Sequence, residues 1–269
     1  MRAIEFVGFD TKLWFVLFVG WELAYQSARA LCSRSAHPAI RGNGATYVCS
    51  MVNATWCALA GSYLTLELAR MPDESMAGVD PSDPNSWAGV WVKLAAYPFL
   101  AWLSMDFMHC FHKYPHIVGL DAFAHHGGFI LLTLLQMSYE MVPIVAAWLL
   151  LSEISTLPLN VRWFLISFGR GDSRALFWMN MVFAACFFFV RVLLYWAGVA
   201  HMLLYLRPML LAAPFLAPPG PVYTFMGAVT AAGFLNLWWM HKIVLMASKA
   251  GAKKETKRPE RRSARKKAS

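Results

Sequence analysis

The chain has 269 residues, 58% of them hydrophobic and 15% aromatic, with a mean hydropathy of +0.46 and a formal net charge of +9. That composition is too apolar for an ordinary soluble domain and places the chain in a membrane. Strand-like alternation of polar and apolar residues is absent, which argues against a β-barrel.

Seven apolar stretches follow one another, at roughly 12–31, 45–69, 88–111, 118–138, 142–168, 175–205 and 221–247. Each reaches the about 20 residues that a helix needs to cross the hydrocarbon core. The fold class expected is therefore all-α, a polytopic transmembrane bundle of about seven helices.

Before the first stretch ends, Ala28-Arg29-Ala30 has the small-residue form of a cleavage site. Cleavage there would leave six spans and carry the basic C-terminus into the lumen, so residues 1–40 read as a retained helix with its following loop. Arg29, Arg34 and Arg41 lie between stretches one and two, Lys113 between three and four, and Arg170 and Arg174 between five and six. By the positive-inside rule these loops face the cytosol. Segment 71–89 holds Asp73, Glu74, Asp80 and Asp83 and no Lys or Arg, and the Pro-rich connector 206–221 holds only Arg207, so both read as lumenal.

Within the second stretch, Asn53-Ala54-Thr55 matches the glycosylation sequon at a depth that the lumenal enzyme cannot reach. The five cysteines, Cys32, Cys49, Cys57, Cys110 and Cys186, form no CxxC pair, so they indicate neither a disulfide framework nor a zinc site. His109, His112, His116, His125 and His126 fall within 18 residues. The membrane desaturases and hydroxylases to which such spacing could be compared carry several HxxHH boxes, while His37, His201 and His241 stand alone here, so no metal is expected. His112 and His116 flank a turn at Lys113 and Pro115, where solvated roles suffice.

The informative residues are ionisable groups set inside apolar sequence: Asp106, His125-His126, Glu153 and Arg191, with Arg162 just beyond. Charge at bilayer depth is expensive and commonly marks a working site. Thr156 and Asn160 follow Glu153 at i+3 and i+7, on about one helical face, and Pro158 is placed to kink that helix. The bland alternative is an ion-pair network of Asp106, Glu153 and Arg191 that pins helices together. Glu22, Glu67, Lys93 and Arg162 lie near span ends, where they can snorkel to the interface. Gly127-Gly128 reads as a place of close helix approach rather than as a phosphate site.

From Lys249 onward the chain holds ten Lys/Arg, two Glu and no large apolar residue, and 250–269 reads as a disordered cytosolic tail able to touch anionic lipid headgroups. Nucleic-acid binding is not expected of a tail tethered in this way. Its final Lys266-Lys267-Ala268-Ser269 resembles the dilysine retrieval signal that coat proteins read on residents of the endoplasmic reticulum.

The tandem His125-His126 opening a span, the Glu153-Ile154-Ser155-Thr156 step about 27 residues later, and Asn160-Val161-Arg162-Trp163 after it together resemble the TLC domain family. The resemblance covers about 41–249 and is nearest in kind to the less-characterised members. It implies a six-helix core with a central cavity, here preceded by one extra helix. Ceramide synthases, which N-acylate a sphingoid base with acyl-CoA, carry a similar His-His and then a His-Asp and a further Asp. Ser152-Glu153 and Thr156 stand at those later positions here, so one histidine and one carboxylate are missing.

Two functions follow from this resemblance. The favoured one is membrane lipid homeostasis, by binding, sensing or trafficking a lipid at His125, His126, Asp106, Glu153, Thr156, Asn160 and Arg191, without a cofactor. The alternative is an N-acyltransferase of ceramide synthase type, with acyl-CoA as co-substrate, a sphingolipid product, and His125, His126, Asp106 and Glu153 as its catalytic set. A helper of protein translocation, like the translocating-chain-associating relatives, is less favoured because that branch is not noted for the tandem His. The location implied is the endoplasmic reticulum membrane, multi-pass, with a cytosolic C-terminus.

Overall fold

The computed structural model describes residues 9–78, 87–113, 119–213 and 218–267, leaving out the side chains of 87–89, 112–113, 121–122 and 249–267. Asp80, Asp83, Pro115, His116, Ala268 and Ser269, and the side chains of His112, Lys113, Lys266 and Lys267, lie outside the described set. Among the described residues every regular element is helical.

Helix α1 (Thr11–Cys32) starts where the Asp10 carboxylate accepts from the N–H groups of Lys12 and Leu13, at 2.9 and 3.0 Å. A proline opens α2 (Pro38–Leu68), where its missing N–H costs nothing. The single turn α3 (Asp73–Ala77) stops at Gly78, whose φ of 78° suits a residue without Cβ. Helix α4 (Trp87–Lys113) carries Pro98 in its interior. Around that proline the Trp21 and Trp56 indoles donate to the carbonyls of Pro98 and Ala95, at 3.0 and 3.1 Å, and so tie α1 and α2 to α4.

Helix α5 (Leu120–Tyr139) ends at a strained reversal in which Glu140 and Val142 both take positive φ, 51° and 45°. Two contacts hold it: Glu140 pairs with Lys93 of α4, and the Val142 N–H donates to the Ala77 carbonyl at 2.9 Å. The next rod, Pro143–Ser167, joins α6 (Pro143–Leu151) to α7 (Thr156–Ser167) through a 3₁₀ turn at Ser152–Ser155. Rod Arg174–Ala212 contains α8 (Arg174–Cys186), a π segment Phe187–Leu194, α9 (Tyr195–His201), a second π segment Met202–Leu206 and α10 (Arg207–Ala212). Helix α11 (Pro219–Lys267) completes the chain.

Among the described residues the seven apolar stretches thus reappear as seven long helical rods, and the fold is an all-α bundle. The rods Pro143–Ser167 and Arg174–Ala212 are long and apolar enough to cross a membrane by length and composition. Large apolar side chains such as Phe15, Leu59, Phe189, Leu204 and Phe234 stand more than half exposed on the outside, as a lipid-facing surface requires.

Three local expectations change. The backbone distortion near Glu153 comes before Pro158, because proline cannot donate to the carbonyl four residues earlier, Ile154, and the 3₁₀ turn absorbs that loss. Close helix approach occurs at Gly61 and Gly198 rather than at Gly127-Gly128. A Cβ on Gly61 would lie 2.2 Å from the Leu151 nitrogen and one on Gly198 would lie 2.7 Å from the Trp148 ring, whereas Gly128 has nothing within 4 Å. The tail expected to be disordered continues α11 as helix to Lys267, its many Ala, Lys, Arg and Glu favouring helix against the opposing preference of Gly251 and Pro259.

Candidate functional site

The 3₁₀ turn and the first π segment pack against each other in the middle of the bundle. Both are departures from the α-helix that re-aim side chains, and π segments often occur at functional sites. The 3₁₀ turn presents Glu153 and the π segment presents Arg191. Arg191 donates to Glu153 Oε1 at 2.6 Å and, through Nε, to Ser155 Oγ at 2.8 Å. The Thr156 hydroxyl donates to the other carboxylate oxygen, Glu153 Oε2, at 2.8 Å. With side-chain exposures of 7% for Arg191 and 13% for Glu153, this is a buried pair whose acid is engaged on both oxygens.

Across the same space, α4 and α5 supply a second pair. Asp106 is buried, and its Oδ2 lies 3.2 Å from His126 Nδ1. The approach is close but misaligned, because His126 Nδ1 is buried and meets no partner with hydrogen-bond geometry; distance alone makes this an electrostatic contact rather than a formed hydrogen bond. Cys110, one turn along α4, brings its Sγ to 3.8 Å from the same Asp106 oxygen. His125, with its ring centroid 5.7 Å from that of His126, packs against Phe129 and the edge of Trp239 on α11, with ring centroids 4.6 and 5.1 Å apart.

These groups open onto one cavity of about 560 Å³. It gathers Asp106, His125, His126, Glu153, Thr156 and Arg191 from five separate segments, together with Ser50, Arg162 and Lys242. Its apolar walls come from Phe99, Trp102, Leu103, Phe129, Phe183, Phe187, Trp239 and Met246. Asp106, Glu153 and Arg191 do not form one network: Glu153 pairs with Arg191 and Asp106 approaches His126.

Asn160 is the expected site residue that does not line the cavity. It is buried behind the wall, where its amide donates to Ser50 Oγ at 3.0 Å, so it positions a lining residue instead. Arg162 lies near the end of its rod, as expected, but lines the cavity instead of snorkelling outward, with Nε donating to Asn180 Oδ1 at 2.6 Å. Of the other charges expected near span ends, Glu22 lies in the middle of α1, where its carboxylate accepts from His109 Nε2 at 3.0 Å, and Lys93 pairs with Glu140. Tyr47, Ser50, Cys110, Trp239 and Lys242 also line the cavity without having been singled out by sequence; an aromatic, a hydroxyl or a thiol in an apolar helix carries no signal by itself, whereas Lys242, a charge inside the seventh apolar stretch, carried the same signal as Arg191.

An apolar helical shell around a pocket with ion-paired walls defines a membrane-type helical bundle with an interior cavity. The chain belongs to the TLC domain family: residues 44–245 match the TLC domain. No curated protein and no solved structure matches it. The family and the two long apolar rods together point to a membrane protein with a lipid-related role.

Proposed function

We propose that the protein binds a membrane lipid by its headgroup, as a sensor or carrier in lipid homeostasis, from a multi-pass position in the endoplasmic reticulum membrane. The cavity carries this reading. Its volume of about 560 Å³ suits a headgroup and the first carbons of the chains, with aromatic walls for the carbons and Arg162, Arg191, Asp106 and Glu153 for the polar end. Glu153 is held on both oxygens by Arg191 and Thr156, which fits a recognition wall better than a base that must pick up and release a proton.

One observation favours a second reading, N-acyl transfer from acyl-CoA: the carboxylate of Asp106 stands 3.2 Å from His126. In that reaction an amine attacks the thioester carbonyl, the CoA thiolate leaves, and His126, supported by Asp106, takes the ammonium proton. A single experiment separates the two. Purified protein in detergent is offered sphingoid bases and labelled acyl-CoAs of several lengths, and co-purifying lipid is measured by mass spectrometry, with His125→Ala/His126→Ala in parallel. A lipid retained by the wild type and depleted at least about tenfold in the double variant, without amide product, is the expected result; amide formed only by the wild type would establish the transferase.

The location is tested separately. Replacing Lys266 and Lys267 by Ser should release a tagged protein to later compartments, as coat proteins lose their dilysine contact. Unchanged residence in the endoplasmic reticulum would remove the signal from the proposal.

A further inference from the structure

Asp106, Cys110 and His126 bring three different ligand atoms to one point of the cavity wall. Asp106 Oδ2, Cys110 Sγ and a ring nitrogen of His126 all lie within 4.8 Å of one another. Asp106 and Cys110 are spaced i, i+4 on α4, so both project from one face, and His126 meets them from α5. The observed Asp106 Oδ2 separations are 3.2 Å to His126 Nδ1 and 3.8 Å to Cys110 Sγ. In a tetrahedral zinc site, with bonds of about 2.3 Å to sulfur and 2.0–2.2 Å to nitrogen or oxygen, ligand atoms stand roughly 3.3–3.6 Å apart. The two separations to Asp106 Oδ2 thus fall within a few tenths of an ångström of that range, and the Cys110 Sγ to His126 separation is at most 4.8 Å, so closing the triad on an ion draws the sulfur and the ring nitrogen together.

We propose that Asp106, Cys110 and His126 hold a zinc ion, with the fourth coordination position directed into the cavity. Three observations meet here. The first is the spacing. The second is the His126 Nδ1 atom, which is buried and lacks a hydrogen-bond partner although a carboxylate oxygen is 3.2 Å away; a metal between the two atoms satisfies both. The third is charge. A carboxylate, a thiolate and a neutral imidazole sum to −2, which a divalent cation cancels, whereas without a cation only the weak Cys110 S–H bond and the misaligned His126 contact offset the desolvation of the buried carboxylate. Cys110 holds no disulfide, and a mixed sulfur, nitrogen and oxygen set suits zinc rather than calcium or magnesium. Three protein ligands plus one open position is the arrangement of zinc sites that bind or polarise an oxygen of a ligand.

Linear spacing concealed this site, since Asp106-x₃-Cys110 followed 16 residues later by His126 matches no familiar zinc pattern. It arises only where α4 and α5 cross. The proposal shares Asp106 and His126 with the lipid reading, yet the two fail separately: lipid retention is read by mass spectrometry and zinc by elemental analysis, and Cys110→Ser touches the zinc site alone.

The test uses full-length protein in detergent, purified on a tag without histidine and without chelator. About one zinc per chain is expected. After stripping, Co²⁺ should give a thiolate-to-cobalt charge-transfer band that zinc abolishes. Cys110→Ser should remove that band, and Asp106→Asn or His126→Gln should weaken zinc at least about 100-fold, since even outer-shell partners are worth 10–100-fold. Cys186→Ser, the control on α8, should keep both metal and band. A readout that needs no substitution is alkylation of Cys110 in the wild-type protein, which zinc should slow and a chelator restore. Zinc content equal in the wild type and all three ligand variants, or Cys110 alkylation indifferent to zinc and chelator, would overturn the site.

Discussion

Arg191→Met is expected to destabilise the protein by about 3–5 kcal/mol, because it strands the Glu153 carboxylate in the bundle interior. The guanidinium reaches three oxygens, Glu153 Oε1 at 2.6 Å, Ser155 Oγ at 2.8 Å and Thr156 Oγ1 at 3.5 Å, and methionine satisfies none of them. The informative control is the double variant Glu153→Leu/Arg191→Met. Removing both charges also removes their desolvation cost, so the double variant should recover most of the loss, as replacement of a buried pair by apolar residues is often neutral. Thermal unfolding in detergent reads the series. A single variant as stable as the wild type would mean that the pair contributes nothing to holding the 3₁₀ turn against the π segment.

Gly61→Ala should be comparably damaging, though it adds one methyl group. The added Cβ would sit 2.2 Å from the Leu151 nitrogen and 2.8 Å from the Ala147 carbonyl oxygen, and backbone atoms cannot turn aside as a side chain can. Helices α2 and α6 must then separate along an interface that carries much of the core, including Cys57, Leu64, Val145 and Trp148. A cost of about 1–3 kcal/mol is usual for overpacking, and backbone contact puts this site at or above the upper end. Gly42→Ala, in the same helix with nothing within 4 Å, supplies the internal control and should be neutral or stabilising by about 0.5–1 kcal/mol. Equal expression and thermal stability of both variants would contradict the close approach.

The contrast between these two glycines also shows where sequence reading stops. Gly127-Gly128 has the look of a helix-packing motif, yet the crossing point falls at Gly61, an unremarked residue in an apolar run. Which glycine is used depends on how each helix is rotated about its axis, and the apolar composition of a membrane helix leaves that rotation almost unmarked. Asn160 makes the same point: its i+7 spacing from Glu153 is on the right face for an ideal helix, but the 3₁₀ turn just upstream alters the phase and sends it behind the wall to Ser50.

The all-α class and the positions of the seven rods were determined by the sequence alone, because roughly 20 apolar residues in a row satisfy the bilayer and the backbone at once, whatever their neighbours do. The identity of most cavity residues was determined there too, since Asp106, His126, Glu153 and Arg191 are conspicuous as charges in apolar surroundings. Only the tertiary structure decided who pairs with whom: Arg191 with Glu153 across 38 residues, His126 against Asp106, Cys110 turned toward the same oxygen, and Arg162 drawn from a span end into the wall. The physical reason is that hydropathy is a property of each residue, whereas an ion pair or a coordination site is a distance between residues on different helices, set by crossing, rotation and the local 3₁₀ and π distortions that the bundle imposes.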